Sequence, residues 1–410
     1  MNNKTHVTDG SPKAKKALWL LTSVNYLNYI DRFILAAVLV SIKSDLGLSD
    51  FQAGLLATAF MIPYIFTAPL FGWLGDTRDR SRILSMGASI WSIATFLTGL
   101  SSHFYMLLSS RFLLGIGESA FTTVSIPFLS QYIPKEKQGR ALAFFSSALP
   151  VGAALGFVLG GVLSTWVGWR NAFFIVGLPG FILSILIWKL GDPRPPATEA
   201  SFDYKKTLAT ILKSKPYIWA VLGYCAYSFV VGGIAHWTPS YVQRQYTLSE
   251  LHANSLFGGI AVVSGLIGTF RGGWLGDRLE ANGSGGNLLI CSVSMFLALP
   301  AFWFCMHADS IQTFVIGLTF AQICFFLSTS PINVAILRLL PAELQNSGMA
   351  FLIFASHILG DSISAPLIGK VSDMTGSLRT GILVCTPVIL LSGIFWAIGR
   401  KSSRSVLVSS

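Results

Sequence analysis

Twelve apolar stretches dominate this chain, each close to the roughly 20 residues that a helix needs to cross a bilayer. They cover residues 17–42, 51–74, 83–101, 104–131, 141–165, 171–190, 216–243, 251–275, 286–306, 310–335, 349–370 and 379–399. In lipid every backbone N–H and C=O must find a partner inside the protein, so such runs fold as helices. The internal Pro63, Pro69, Pro127, Pro150 and Pro331 are compatible with this, because neighbouring helices satisfy the freed groups. Only 11% of the residues are charged, against 52% hydrophobic; a soluble domain is about 25% charged. Such a chain is neither an ordinary soluble enzyme nor a disordered polymer. The expected fold class is an all-α, integral multi-pass membrane protein with twelve transmembrane helices.

The net charge of +11 would suit nucleic acid if the basic residues shared one soluble face. Instead they sort by side. With the N-terminus assigned to the cytoplasm, cytoplasmic segments hold 22 Lys and Arg and the opposite side 5. This asymmetry places both termini in the cytoplasm and turns the excess toward the lipid bilayer, not toward nucleic acid. The five cysteines all fall in apolar runs with no C-x-x-C pair, so neither disulfides nor a metal site is expected. The basic N-terminal stretch meets the first apolar run without a cleavage-like site, which argues against a cleaved signal peptide.

The chain also repeats itself. GWLGDTRDR at Gly72–Arg80 recurs as GWLGDRLEA at Gly273–Ala281, 201 residues later. YIPKEKQGRALAF at Tyr132–Phe144 has a weaker echo in LLPAELQNSGMAF at Leu339–Phe351. The expectation is two six-helix halves, residues 1–190 and 216–410, related by a pseudo-two-fold axis and joined by a cytoplasmic linker at 191–215. Secondary transporters are built from such parallel repeats.

By these boundaries only five of the 47 Lys, Arg, Asp and Glu residues lie within spans: Asp31, Arg32, Arg111, Glu118 and Asp361. Charge inside a membrane is costly and defaults to function. At about 1.5 Å per residue, Asp31 and Arg111 reach matching depths about 10 Å from the outer side. Glu118 lies two turns deeper, near the midplane. A carboxylate beside a buried arginine, with a second carboxylate deeper in, makes a proton relay: protonation frees the arginine for an anionic substrate. The alternative is a structural ion pair that locks two helices. In the second half, where aromatics and small polar residues dominate, the polar exceptions are His236, Asn333, His357 and Asp361; with the aromatic Tyr224, Tyr227 and Trp237 they are the candidates for a secondary cavity. A charged wall facing an aromatic, apolar one suits an amphiphile. Gly152, Gly156 and Gly160 form a small-residue stripe for close helix packing.

Four stretches resemble the spinster family of major facilitators: NYLNYIDRFILAAVL (Asn25–Leu39), RFLLGIGESAF (Arg111–Phe121), LPVGAALGF (Leu149–Phe157) and SHILGDSISAPLIGKVSD (Ser356–Asp373). The resemblance covers nearly the whole chain. It implies the major facilitator fold and transport of lysophospholipid-like amphiphiles, with proton dependence. It implies proton coupling at Asp31 and Glu118, and headgroup recognition or charge relay at Arg32 and Arg111. GWLGDTRDRSR fits the superfamily loop after the second helix, where Asp76, Arg78, Arg80, Arg82 and Arg140 would gate the cytoplasmic side. Asp277 and Arg278 would form a weaker second copy. The NYIDR and GIGE elements are shared with sugar-acid symporters, which makes a proton-coupled transporter of small organic anions the rival reading. No Walker, zinc or nucleophile motif supports an enzyme. The remaining expectations are no catalytic residue, no metal, no cofactor beyond the proton, and a monomer in a bacterial inner membrane.

Overall fold

The computed structural model describes residues 12–133, 141–142, 144–193, 211–281, 285–341 and 344–408, and these are helical apart from turns and short links. The first helices are α1 (Pro12–Ala37), α2 (Leu39–Leu46), α3 (Asp50–Thr77), α4 (Arg80–Leu100), α5 (Phe104–Ser130) and α6 (Ala148–Trp188). There follow α7 (Lys215–Tyr246), α8 (Glu250–Ala281), α9 (Gly286–Met306), α10 (Ile311–Leu327) and α11 (Thr329–Arg338). The last are α12 (Gln345–Ser356), a π-helical turn (His357–Asp361), α13 (Ser362–Thr375), α14 (Leu378–Leu383) and α15 (Cys385–Val408).

Among the described residues, ten helical segments are long and apolar enough to cross a membrane. One of them contains α6, whose 41 residues would run about 60 Å if straight, twice the bilayer core. Its backbone turns at Gly168 (φ 82°, ψ 157°), a conformation that suits glycine, so α6 supplies two crossings. The first crossing is α1, which carries Asn25, Asn28, Asp31 and Arg32 and is not among the ten. Expected runs are interrupted where α1 passes to α2 at Val38, α10 to α11 at Ser328, α12 to α13 through the π turn, and α14 to α15 at Val384.

The chain divides into two compact units. Unit 1 comprises Met1–Leu48, Ala59–Ala200 and Ser249–Gly258; unit 2 comprises Ser49–Thr58, Ser201–Leu248 and Gly259–Ser410. The sequence suggested contiguous halves. The difference is that the head of α3 belongs to unit 2 and the head of α8 to unit 1. Most of the expected linker, 194–210, lies outside the described residues.

In unit 1, α1 runs along α6, and α4 packs against α5 and α6. Trp91, Phe121, Phe128 and Leu114 fill the core between them. In unit 2, α7 packs on α15 and the π turn, and α9 on α10 and α15. The glycine stripe acts as expected. A side-chain carbon at Gly152 would meet Tyr29 Cβ at 2.7 Å, and one at Gly156 would meet Phe33 Cβ at 2.9 Å. Only bare glycine lets α6 lie this close to the charged turn of α1.

Candidate functional site

The grip of α6 fixes where α1 points its polar residues. Asn25 Nδ2 donates to Phe145 O at 3.0 Å, and the Tyr26 and Ser147 hydroxyls meet at 2.8 Å. Successive helical residues differ by about 100°, so Asp31 and Arg32 reach different neighbours. Asp31, 1% exposed, accepts a hydrogen bond from Thr95 Oγ1 on α4 at 3.2 Å. Arg32 turns to α5, where Nη2 and Nε donate to Glu118 Oε2 at 2.7 and 3.2 Å.

That pair differs from the one anticipated by depth. Among the described residues, neither Asp31 nor Arg111 forms an ion pair; the guanidinium paired with Glu118 is that of Arg32. The reason is the direction of the side chains, which depth along a helix does not report. The Arg32 guanidinium lies 5.4, 4.9 and 5.3 Å from the ring centres of Tyr29, Phe60 and Tyr64. Such faces attract a cation. Arg111 approaches one of these rings, its guanidinium 5.8 Å from the centre of Phe60. Two further bonds hold α3 and α5 together around this box: Tyr64 to Thr122 at 2.9 Å and Thr67 to Ser119 at 2.6 Å. Phe60, Tyr64 and Thr95 escaped the sequence reading because it searched for charge, and aromatic box residues look like lipid-facing ones.

Access separates the members of the cluster. Glu118 is fully buried, whereas the Arg32 side chain keeps 19% exposure. Arg111 is 2% exposed. Arg32 is therefore the more exposed of the two guanidiniums. Four charged groups, two of each sign, share an apolar surround, and a proton or an anion arriving there must alter who pairs with whom.

Unit 2 holds a smaller titratable group. His357 Nδ1 lies 2.8 Å from Asp361 Oδ2, across the π turn. Single π turns recur at functional sites. The other secondary candidates separate on inspection. Trp237 is fully buried and donates through Nε1 to Ala365 O at 3.0 Å, so it ties α7 to α13 and does not line a cavity. Tyr227 is a core residue as well, set between Tyr224 and Trp396 with ring centres 5.6 and 5.9 Å away. Tyr224 keeps partial exposure, His236 is buried edge-on to Trp237, and Asn333 Nδ2 donates back to Thr329 O at 2.9 Å.

The loop after α3 is organised by an acid the sequence reading passed over. Asp79 caps α4, accepting Arg82 N at 3.1 Å and Ser81 Oγ at 2.7 Å. Arg80 is buried, its Nε donating to Gly75 O at 2.9 Å and its N–H to Asp192 at 2.8 Å. Arg78 and Arg82 are exposed. Tyr132 OH donates to Gly191 O at 2.6 Å. Burial, and then the carboxylates of Asp192 and Asp79, push the Tyr132 phenol up to about 12. Arg140 and the Asp76 side chain lie outside the described residues. In the second copy Asp277 and Arg278 are exposed. Glu280, which aligns with Asp79, does the work there: it accepts Asn287 N at 2.9 Å at the start of α9 and pairs with Arg338 at 3.2 Å.

Comparison with known proteins accords with this architecture. The Major Facilitator Superfamily profile matches residues 21–365. The chain is 31% identical to the Arabidopsis thaliana "Probable sphingolipid transporter spinster homolog 2", over 94% of this chain and 86% of that protein. It is 27% identical to a Mus musculus sphingosine-1-phosphate transporter, over 92% and 75% of the two lengths. Its fold matches the crystal structure of a bacterial homologue of the human lysosomal transporter spinster, with a TM-score of 0.87 at 19% identity, covering 97% and 99% of the chains.

Proposed function

The chain belongs to the Major Facilitator Superfamily and, within it, to the spinster family, and on that footing we propose that it moves lysophospholipid-like amphiphiles across the membrane by alternating access. It is a multi-pass membrane transporter and not an enzyme. The Arg32–Glu118 pair carries the reading. A phosphate-bearing amphiphile needs a cation that is reachable, held in readiness and releasable, and Arg32 meets all three conditions. A proton arriving at Glu118 cancels the charge that holds the guanidinium, and Arg32 turns to the lipid phosphate. When the lipid leaves, Arg32 returns and the proton departs. Asp31, the residue before Arg32 on α1, serves as the second proton site, and Arg111 as the second cation. The acid-poor, aromatic helices of unit 2 suit the acyl tail. Asp76, Arg78, Arg80, Arg82 and Arg140, with Asp277 and Arg278, gate the cytoplasmic side. The protein works as a monomer in a bacterial inner membrane with both termini cytoplasmic, an orientation that the distribution of basic residues favours.

Reconstituted protein tests this directly. Labelled lysophosphatidylethanolamine and a labelled hexuronate are offered to proteoliposomes with and without a pH gradient. Lipid flux that grows with the gradient supports the reading. Preference for the sugar acid would replace it with the organic-anion alternative, and lipid flux indifferent to pH would remove the proton from the scheme.

A further inference from the structure

A polar cavity of about 410 Å³ opens at the end of unit 2 where α7 and α13 finish, within the size range of ligand sites. Asp50, Tyr241, Arg244, Ser372, Asp373 and Arg379 contribute to its lining. The head of α3 is seated in it. Arg244 grips Asp50 as a fork, Nη1 to Oδ2 and Nη2 to Oδ1, both at 2.8 Å. Ser372 Oγ donates to the same carboxylate at 2.6 Å. Asp373 accepts the backbone N–H groups of Asp50 and Phe51, each at 2.8 Å. A side-chain carbon at Gly369 would overlap the Asp50 carbonyl, so the seat is close-fitting. The buried Nε of Arg379 has no hydrogen-bond partner among the described residues.

The head of α3 thus presents two opposite charges side by side: a carboxylate, and the positive end of a helix. Unit 2 answers the first with arginine and the second with aspartate. Holding a helix head does not demand this. Ser49–Asp50 recurs as Ser249–Glu250 at the head of α8. There Glu250 Oε2 is met by two hydroxyls, Ser41 at 2.8 Å and Ser164 at 2.7 Å. Among the described residues, Glu250 forms no ion pair. The arginine and aspartate of unit 2 exceed what the repeat needs.

We propose that this cavity is a receiving site for a zwitterionic phosphate headgroup, and that the head of α3 occupies it as an internal stand-in. A guanidinium fork accepts phosphate with the geometry it uses for carboxylate. Arg244 and Arg379 take the phosphate, and Asp373 takes the ammonium of a phosphoethanolamine-type group. Headgroup and helix head compete, so arrival of one releases the other. The inference rests on the lipid-transport reading and adds to it a second station and a headgroup class.

Spin labels on Phe51→Cys and Met374→Cys, both exposed positions, report the distance from the α3 head to α13 in the full-length protein. The five native cysteines are buried. Lysophosphatidylethanolamine, lysophosphatidylglycerol and monoacylglycerol are the probes. The expected result is a longer distance, reached with lysophosphatidylethanolamine at about one tenth the concentration of lysophosphatidylglycerol, and no change with monoacylglycerol. Asp373→Asn abolishes that preference, and Arg379→Gln weakens the response to both lysolipids. Equal responses to lysophosphatidylethanolamine and monoacylglycerol, or an unaltered preference in Asp373→Asn, overturn the site. Flux of lysophosphatidylethanolamine by the wild-type protein is followed in parallel. Flux with an unaltered preference sinks this site alone. A distance response that follows the headgroup without any flux sinks the transport reading alone.

Discussion

Units 1 and 2 share a scaffold but differ in what they bury. Unit 1 encloses Asp31, Arg32, Arg111 and Glu118 within its spans, whereas unit 2 buries Asp50 at the head of α3 and offers His357 and Asp361 on a partly exposed π turn. Yet Asp79 and Glu280 occupy the same place in the repeat and both organise the start of a helix. Duplication preserved the parts that set helix ends and let the interiors diverge. Scaffold residues are interchangeable between repeats because their partners are backbone groups. Chemistry is not, because a buried charge needs a dedicated partner.

The sharpest way to break that contrast is to neutralise one acid in each unit. Glu118→Gln leaves Arg32 without its counter-charge, and losing one member of a buried pair costs about 3–5 kcal/mol. Proton-driven lipid flux should fall about 100-fold or more, while Asp361→Asn should cost less than about tenfold, since its partner His357 is partly solvated. Initial rates in proteoliposomes decide it; equal losses would mean that the two units share the chemistry.

The next effect is on packing. Gly156→Val forces α6 off α1 where Phe33 Cβ and Ile30 O lie 2.9 and 3.0 Å from the new carbon. Overpacking of this kind costs about 1–3 kcal/mol. Gly259→Ala in unit 2, inside α8 where an added carbon meets nothing within 4 Å, should not lower thermal stability and should raise it slightly, by about 0.4–1 kcal/mol. A Gly156→Val protein as stable as wild type would show that α1 is not clamped.

Removing the duplicated caps should instead treat the units alike. Asp79→Ala and Glu280→Ala each forfeit a helix-start bond worth about 1 kcal/mol. The half-exposed Arg338 adds little to the second. Thermal melts that fell for one variant and not the other would contradict a shared scaffold.

Much of this was legible in the sequence, for identifiable reasons. Apolar length announced the crossings, and the scarcity of charge singled out the four ionisable residues of unit 1, because both follow from the cost of polar groups in lipid. Who pairs with whom was hidden. Depth along α1 and α5 placed Asp31 near Arg111, and the two do feel each other's charge; that the ion pair itself forms between Arg32 and Glu118 depends on rotation about the helix axis. The repeat was read from its glycines and arginines, so the matched acids Asp79 and Glu280 went unnoticed, as did Ser49–Asp50 against Ser249–Glu250. The exchange of helix heads between the units leaves no mark in composition at all.

The smallest expected effect belongs to Tyr132, and it tests whether the end of unit 1 that carries the α3–α4 loop has a device that unit 2 lacks. In the repeat Tyr132 aligns with Leu339, which has no hydroxyl. Tyr132 OH donates to Gly191 O, so Tyr132→Phe should cost about 1 kcal/mol. That difference depends on pH with a definite sign. The folded phenol is pushed up to about 12, whereas an unfolded tyrosine titrates near about 10. Between those values the folded state keeps a proton that the unfolded state releases. The stabilisation is therefore complete below about pH 10 and is lost as pH rises toward about 12. Phenylalanine has no proton to lose. Unfolding curves of wild type and Tyr132→Phe should differ at neutral pH and draw together through that alkaline window. A gap that stayed constant with pH would mean that the hydroxyl is not buried against Gly191 beside Asp192 and Asp79, and that this end of unit 1 is held by packing alone.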